Sequence, residues 1–361
     1  MVLPARSCYR ARQHPTNASI PLTQQPFPGS VEEITADWLN RSLGIAVTGV
    51  QATRIGQDEG FSGCRLYRLA LRGTGPGSLV AKLSPAEPAA ARRMATANGR
   101  EVAFYAAQGP DTLLPMPRCA LALFDPDTGK SLLLLQDLGA HRALPFAAGL
   151  GVDEAGLALQ ALAGIHARWW ADPGVDGPTL QQTYPFQTLW PAYLDHIARM
   201  MPDLAVPPAM RALGDRIAAD PVQACARLDG PGPLTRVHGD AQVDNLRFAG
   251  GRAVFLDWQL TGRGAGMADV GYLMISSLAP SLRRQHERAL VDLYQTALNT
   301  RAVRGNDTDG YVPAAAGKLW ITVAATLQYD NASPAKQRWR RTDLERLAAF
   351  CTDHNPAAAF V

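Results

Sequence analysis

Apolar spacing changes character once along this chain, near residues 136 to 141, and that change limits what it can fold into. Before it lie five short strand-like runs: VTGVQATRI (47–55), CRLYRLALR (64–72), SLVAKLS (78–84), RCALALFD (118–125) and SLLLLQDLG (131–139). The turn sequences TGPG and DPDTG punctuate them, which predicts an antiparallel sheet built from hairpins. A helix is expected in VEEITADWLNRSLG, and another over 89–108, where Gly99 interrupts an otherwise helical spacing. After Gly139 the spacing becomes helical in ALALQALAGIHARWW, PAYLDHIARMM, AMRALGDRIAAD, RRQHERALVDLYQTAL and GKLWITVAATLQYD. The expected class is α+β: a disordered or extended lead-in over 1–30, a sheet-rich unit over 31–139 and a helix-rich unit over 140–361.

Composition narrows the function classes. With 361 residues, 47% apolar and 19% charged, the chain has material for a sizeable core. Its net charge of +3 builds no general field for nucleic acid or an anionic membrane, and no run of 18 to 20 apolar residues predicts a membrane span. The five cysteines (Cys8, Cys64, Cys119, Cys225, Cys351) show no CxxC pair, which argues against a disulfide scaffold or zinc site and fits a cytoplasmic location.

The chemistry concentrates in VHGDAQVDNLRF (237–248) and AVFLDWQLTGRG (253–264). If NLRF and AVFL pair as a hairpin, Asn245 at its start and Asp257 at its end come side by side, with Asp240 five residues before Asn245. An amide oxygen and a carboxylate are hard ligands that suit Mg²⁺, and a further carboxylate can orient and deprotonate an alcohol during phosphoryl transfer. Singly, each residue also suits an ordinary turn. Together they point to a site.

These strings resemble the aminoglycoside phosphotransferase and choline kinase superfamily of the protein-kinase-like fold, with the ecdysteroid-kinase-like branch nearest in appearance. The shared elements are His238-Gly239-Asp240, Asn245, Asp257-Trp258-Gln259 and the ADVGYL segment. The resemblance implies a two-lobed fold, ATP as phosphoryl donor, Asp240 as catalytic base, and Asn245 and Asp257 as metal ligands. It also implies that His238 buttresses the loop and that Asp269 is a buried acceptor for it.

The first unit carries elements a nucleotide needs. Gly56, Gly60 and Gly63 lie in the loop RIGQDEGFSGCRLYRL between two strands, where backbone N–H groups can approach phosphate, although the Walker A ending is absent. Lys82 sits in an apolar strand and requires an anion or a route to solvent; Glu101 on the following helix is the expected partner, and the family pattern points to the same pair. By resemblance, Gln136, Asp137 and Leu138 offer main-chain groups to the purine, with Ile55 and Ala81 as apolar walls. His166 is expected to satisfy a core hydrogen bond, and the aromatic residues Trp169, Trp170, Tyr184, Phe186, Trp190 and Tyr193 to make packing rather than a pocket.

The reaction expected is ATP- and Mg²⁺-dependent transfer to a hydroxyl of a small-molecule acceptor. Two other readings stay open: a metal-dependent phosphohydrolase using His238, Asp240 and Asp257, and a non-catalytic nucleotide-binding scaffold. The basic segment KQRWRR disfavours polycationic acceptors if it lies near the acceptor pocket.

Overall fold

The computed structural model describes residues 27–56, 62–109, 112–174, 184–230, 232–301, 310–328 and 333–360. The expected lead-in therefore falls outside the described residues up to position 26. Contacts divide the chain into two compact units: the part up to Leu113 with Pro117–Leu138, and Leu114–Met116 with Gly139–Val361.

In the first unit, helix α1 (Ala36–Leu43) begins at Thr35, whose hydroxyl accepts from the Trp38 amide at 3.2 Å, and stops at Gly44 with φ of 65°. Such a left-handed stop costs glycine little. The side chain of Asn40 then bonds both main-chain groups of Val47, at 2.8 and 2.9 Å, tying α1 to the first strand. Strands β1 (Ala46–Ile55), β2 (Arg65–Thr74) and β3 (Ser78–Leu83) follow, then helices α2 (Pro88–Arg93) and α3 (Ala95–Gln108), then β4 (Cys119–Phe124) and β5 (Ser131–Gln136). All five strands join one antiparallel sheet in the order β1-β2-β3-β5-β4. This is the hairpin-built sheet that the strand runs predict.

The single helix expected over 89–108 is instead two, separated at Met94, with Glu87 capping the first through the amides of Ala89 and Ala90. Gly99 does not break α3. It lets the helix approach the sheet, because a Cβ there would lie 2.9 Å from the Phe124 ring. The sheet's core face holds Leu69, Leu79, Ala81, Leu83, Leu132 and Leu134 against Trp38 and Leu39 of α1. Alternation along β3 consequently turns Val80 and Lys82 to the opposite face.

The second unit contains α4 (Val152–Arg168), α5 (Phe186–Met200), α6 (Pro208–Ala219), α7 (Pro221–Asp229), β6 (Thr235–Val237), β7 (Leu246–Ala249), β8 (Arg252–Phe255), β9 (Gly262–Gly264), α8 (Gly266–Ser277), α9 (Pro280–Asn299), α10 (Tyr311–Gln328) and α11 (Pro334–His354). Two small antiparallel pairs, β6 with β9 and β7 with β8, carry the motif residues. Helix α8 is buried at every position except Ala268 and packs on α10, α4 and α11. The expected aromatic packing is present, with Phe186, Trp190 and Tyr193 almost fully buried and stacked in series. No helix among the described residues is long and apolar enough to cross a membrane.

Helices α8 and α10 meet at Gly271, where an added Cβ would overlap Ala315. Overfilling such a contact costs about 1–3 kcal/mol. We expect Gly271→Val to lower the urea midpoint correspondingly, whereas Ala268→Val, at the one position of α8 that is not buried, should not.

Candidate active site

In the first unit the Lys82 ammonium lies 2.9 and 2.8 Å from the two carboxylate oxygens of Glu101, and both residues are buried. A buried lysine needs this pairing, because an uncompensated ammonium there would be costly. The pair stands on the sheet face away from the core. Val80 shares that face, whereas Ala81, expected to line an apolar wall, is fully buried in the core behind it. Gly56 and Gly63 both adopt positive φ, at 62° and 68°, and Gly60 lies outside the described residues. The Gln136 amide already donates to the Arg118 carbonyl at 2.8 Å, and Asp137 is held by two bonds from Arg68, at 2.8 and 3.3 Å.

In the second unit, strand β6 delivers the chain into His238-Gly239-Asp240. Gly239 has φ of 81°, and any Cβ would strike the Leu260 carbonyl, so the turn admits glycine alone. The two amides entering this turn point at one carboxylate: Asp269 of α8 accepts from His238 N at 2.6 Å and from Gly239 N at 2.9 Å. A third bond comes from His166 Nε2 at 3.0 Å, while His166 Nδ1 sits 2.7 Å from the Tyr294 hydroxyl. Burial pushes the Asp269 carboxyl upward, but the bonds from His166 and the loop amides outweigh it and hold the group below the usual carboxylate range. His166 is thus more than a satisfied core residue. It supports the carboxylate that shapes the loop.

His238 links the two halves of the motif. Its Nε2 donates to the Leu256 carbonyl at 2.8 Å, and its Nδ1 accepts from the Asp240 amide at 3.2 Å, so both ring nitrogens are engaged within the protein. Phe255 and Trp258 flank the ring. The hairpin forms as its spacing predicts, with Leu246 opposite Phe255 and Leu256 N bonded to Asn245 O at 2.8 Å. That register brings Asn245 and Asp257 to the same end. Asp257 is held at φ of 59°, an uncommon conformation for a residue with a side chain and one that clusters at functional positions.

Asn245 turns its amide nitrogen onto Asp240 Oδ2 at 2.8 Å, and Gln242 adds a weaker bond at 3.3 Å. This fixes the orientation of the Asn245 amide and presents its carbonyl oxygen as the end suited to a cation. With the Asp257 carboxylate, the donors are hard oxygens of the kind Mg²⁺ takes alongside phosphate and water. Asp240 is half-buried, and burial raises its carboxyl above the usual range. The nearness of Tyr272 and His238 opposes that rise; the Asp257 carboxylate adds to it.

Four contacts around Asp240 escaped the sequence reading. Tyr272 and buried Arg340 are close enough to Asp240 to be affected by its charge, Lys318 lies over the Tyr272 ring at 4.3 Å, and Trp339 Nε1 donates to Asp244 at 2.7 Å. Only Tyr272 left a signal, being one helical turn from Asp269 on the same face of α8.

Such a loop and hairpin, with a paired lysine in a separate sheet, define a phosphotransferase type of chain. It belongs to the phosphotransferase enzyme family (APH), whose profile matches residues 62–305. The same fold occurs in a fructosamine-3-kinase candidate from Thermobifida fusca YX-ER1, at 19% identity, covering 90% of this chain and 99% of that one with a TM-score of 0.52. It recurs in a choline/ethanolamine kinase family protein from Mesorhizobium loti, at 16% identity, 90% and 98% coverage and a TM-score of 0.50. The GDP and kanamycin complex of APH(2")-IIia matches at 14% identity, 88% and 97% coverage and a TM-score of 0.52. No curated protein matches the chain in sequence.

Because the folded pKa of Asp269 is depressed, its stabilisation is fully present above the unfolded carboxylate value and is lost as pH falls through the folded one. Asp269→Asn should cost about 3–5 kcal/mol at neutral pH, since it breaks a buried charge network. The loss should shrink as acid is added. Urea unfolding of both proteins between neutral pH and pH 3 checks the sign.

Proposed function

We propose that the protein transfers the terminal phosphoryl group of ATP to a hydroxyl of a small molecule. The observation that carries this reading is the convergence of Asp240, Asn245 and Asp257 at one end of the β7–β8 hairpin, with the Asn245 amide turned onto the base. Asp240 receives the acceptor hydroxyl's proton, and its raised carboxyl suits that task. Asn245 and Asp257 are the residues that would hold Mg²⁺. When bound, the metal supplies charge neutralisation on the donor phosphates. Lys82, steadied by Glu101, supplies an ammonium to those phosphates, and Gly56 and Gly63 contribute loop backbone to them. With the Gln136 amide spent on Arg118, main-chain donors to the purine fall to Asp137 and Leu138.

The engagement of both His238 nitrogens weighs against the phosphohydrolase alternative, which requires that ring as a metal ligand. Retention of Asp240, Asn245, Asp257 and the Lys82–Glu101 pair supports catalysis over a scaffold role. The reading includes a cytoplasmic location. As for the acceptor, the basic segment at the start of α11 reaches the catalytic loop through Trp339 and Asp244, and Arg340 adds buried positive charge near the base. Polycationic acceptors are therefore disfavoured.

Calorimetric titration with ATP and Mg²⁺, paired with phosphorus NMR over a panel of hydroxylated acceptors, tests this reading. Asp240→Asn should keep nucleotide binding while losing about 10²–10⁴-fold in turnover. Asp257→Ala should lose the magnesium dependence of binding. Free phosphate without an ester product, or no nucleotide binding by the native protein, would overturn the assignment. Within the panel, uncharged alcohols should be better acceptors than aminoglycosides.

A further inference from the structure

Tyr294 of α9 has no exposed surface, and a phenol taken out of water needs a partner for its hydroxyl. The partner is His166 Nδ1 of α4, at 2.7 Å, with the two rings set edge to face at 5.7 Å between centroids and 76° between planes. Burial, with the Asp269 charge adding to it, pushes the phenol well above its usual value, so the group keeps its hydrogen. Among the described residues the hydroxyl meets no other hydrogen-bond partner.

Which imidazole nitrogen carries the hydrogen follows from this. A hydrogen on Nδ1 would leave the phenol's own hydrogen buried without an acceptor, which is costly. Nδ1 therefore accepts, and the imidazole hydrogen sits on Nε2, which donates to Asp269 Oδ2 at 3.0 Å. The same oxygen takes the His238 amide at 2.6 Å, and Oδ1 takes Gly239 N at 2.9 Å. A directed line of hydrogen bonds thus runs from α9 through α4 to α8 and ends on the turn that delivers Asp240.

The surroundings are shaped around the tyrosine–histidine bond. At Gly266, the first residue of α8, a Cβ would lie 2.5 Å from the Tyr294 hydroxyl and 3.0 Å from His166 Nδ1, so any side chain would press on the bond itself. The main chain of His166 is fixed as well: its carbonyl accepts from the Thr235 hydroxyl at 2.7 Å, and Thr235 opens the strand that runs into the turn. His166, Thr235, Asp269 and Tyr294 are all buried.

We propose that Tyr294 is a positioning residue for the catalytic loop: its hydroxyl fixes the His166 ring with Nε2–H aimed at Asp269, and so holds that carboxylate against the amides that set the place of Asp240. The inference rests on the phosphotransferase reading. Tyr294 touches no reacting group in it. Small displacements of a base slow transfer steeply, and precise sites depend on support of this kind from rigid elements.

Tyr294→Phe removes one oxygen and keeps the ring. With the best acceptor from the panel, kcat should fall about tenfold, while KM for ATP stays within about twofold. Nitrogen-15 NMR of the His166 imidazole reads the bond without activity. The native protein should show hydrogen on Nε2 and a bare Nδ1, and the Nδ1 signal should move in Tyr294→Phe, where it loses its donor. Gly266→Ala leaves both partners in the chain and forces them apart, so it should reproduce the kinetic loss and the Nδ1 change; it carries the kinetic test if Tyr294→Phe does not fold. A native His166 with hydrogen on Nδ1, an Nδ1 signal indifferent to both substitutions, native kcat in the variants, or equal losses in kcat and ATP affinity would each overturn the proposal. If the native protein transfers phosphate to no acceptor, the phosphotransferase reading fails and the catalytic role of Tyr294 fails with it; the imidazole signals then report a bond that is structural only.

Discussion

The second unit's site depends on one buried carboxylate. The turn at Gly239 leaves the amides of His238 and Gly239 pointing inward, where an unpaired N–H would be costly. Asp269 satisfies both, and the same amides, with His166, make burial of its charge tolerable. Each side thus resolves the other's desolvation. Once the turn is set, the His238 ring can reach the Leu256 carbonyl, which fixes the approach to Asp257, and its other nitrogen takes the Asp240 amide. The positions of both acidic motif residues are therefore inherited from a residue that carries out no chemistry itself.

Buried ion pairs recur in this chain at places where packing could have been apolar. Lys82 with Glu101 stands on the sheet face away from the core, and Lys318 with Asp343 stands behind Tyr272. Such pairs contribute little net stability over hydrophobic replacements, because desolvation consumes most of the attraction. Their value lies in direction. An apolar side chain fills a space, whereas a paired ammonium holds a charge at a defined point, which is what a phosphate requires.

Much of this arrangement was legible in the chain before folding, because it is local. Five strand runs with glycine and aspartate turns describe a meandering sheet, and the spacing of Asn245 and Asp257 around two short apolar runs describes the hairpin that joins them. What escaped notice depends on contacts between distant elements. Lys318 meets Tyr272, and Trp339 meets the loop, only through the packing of α10 and α11, and His166 looks like core until Asp269 is seen beside it. Ala81 lies in the core rather than on a wall for a local reason: one step along a strand reverses the face, so the residue sharing a side with Lys82 is Val80. Gly99 likewise suggested a weak helix centre, when its missing side chain admits the Phe124 ring.

The hydrogen bonds gathered on Asp240 place a constraint on any mechanism. Donors to a carboxylate stabilise its charged form and so reduce its basicity, and here Asn245 and Gln242 both donate while burial works in the opposite direction. A base selected for strength alone would shed such donors. In phosphoryl transfer, however, a loose transition state places little demand on early proton removal and a large demand on alignment of the attacking oxygen. On the proposed reaction, a carboxylate that is held firmly and only moderately basic is the better instrument, and the surroundings of Asp240 are arranged for holding.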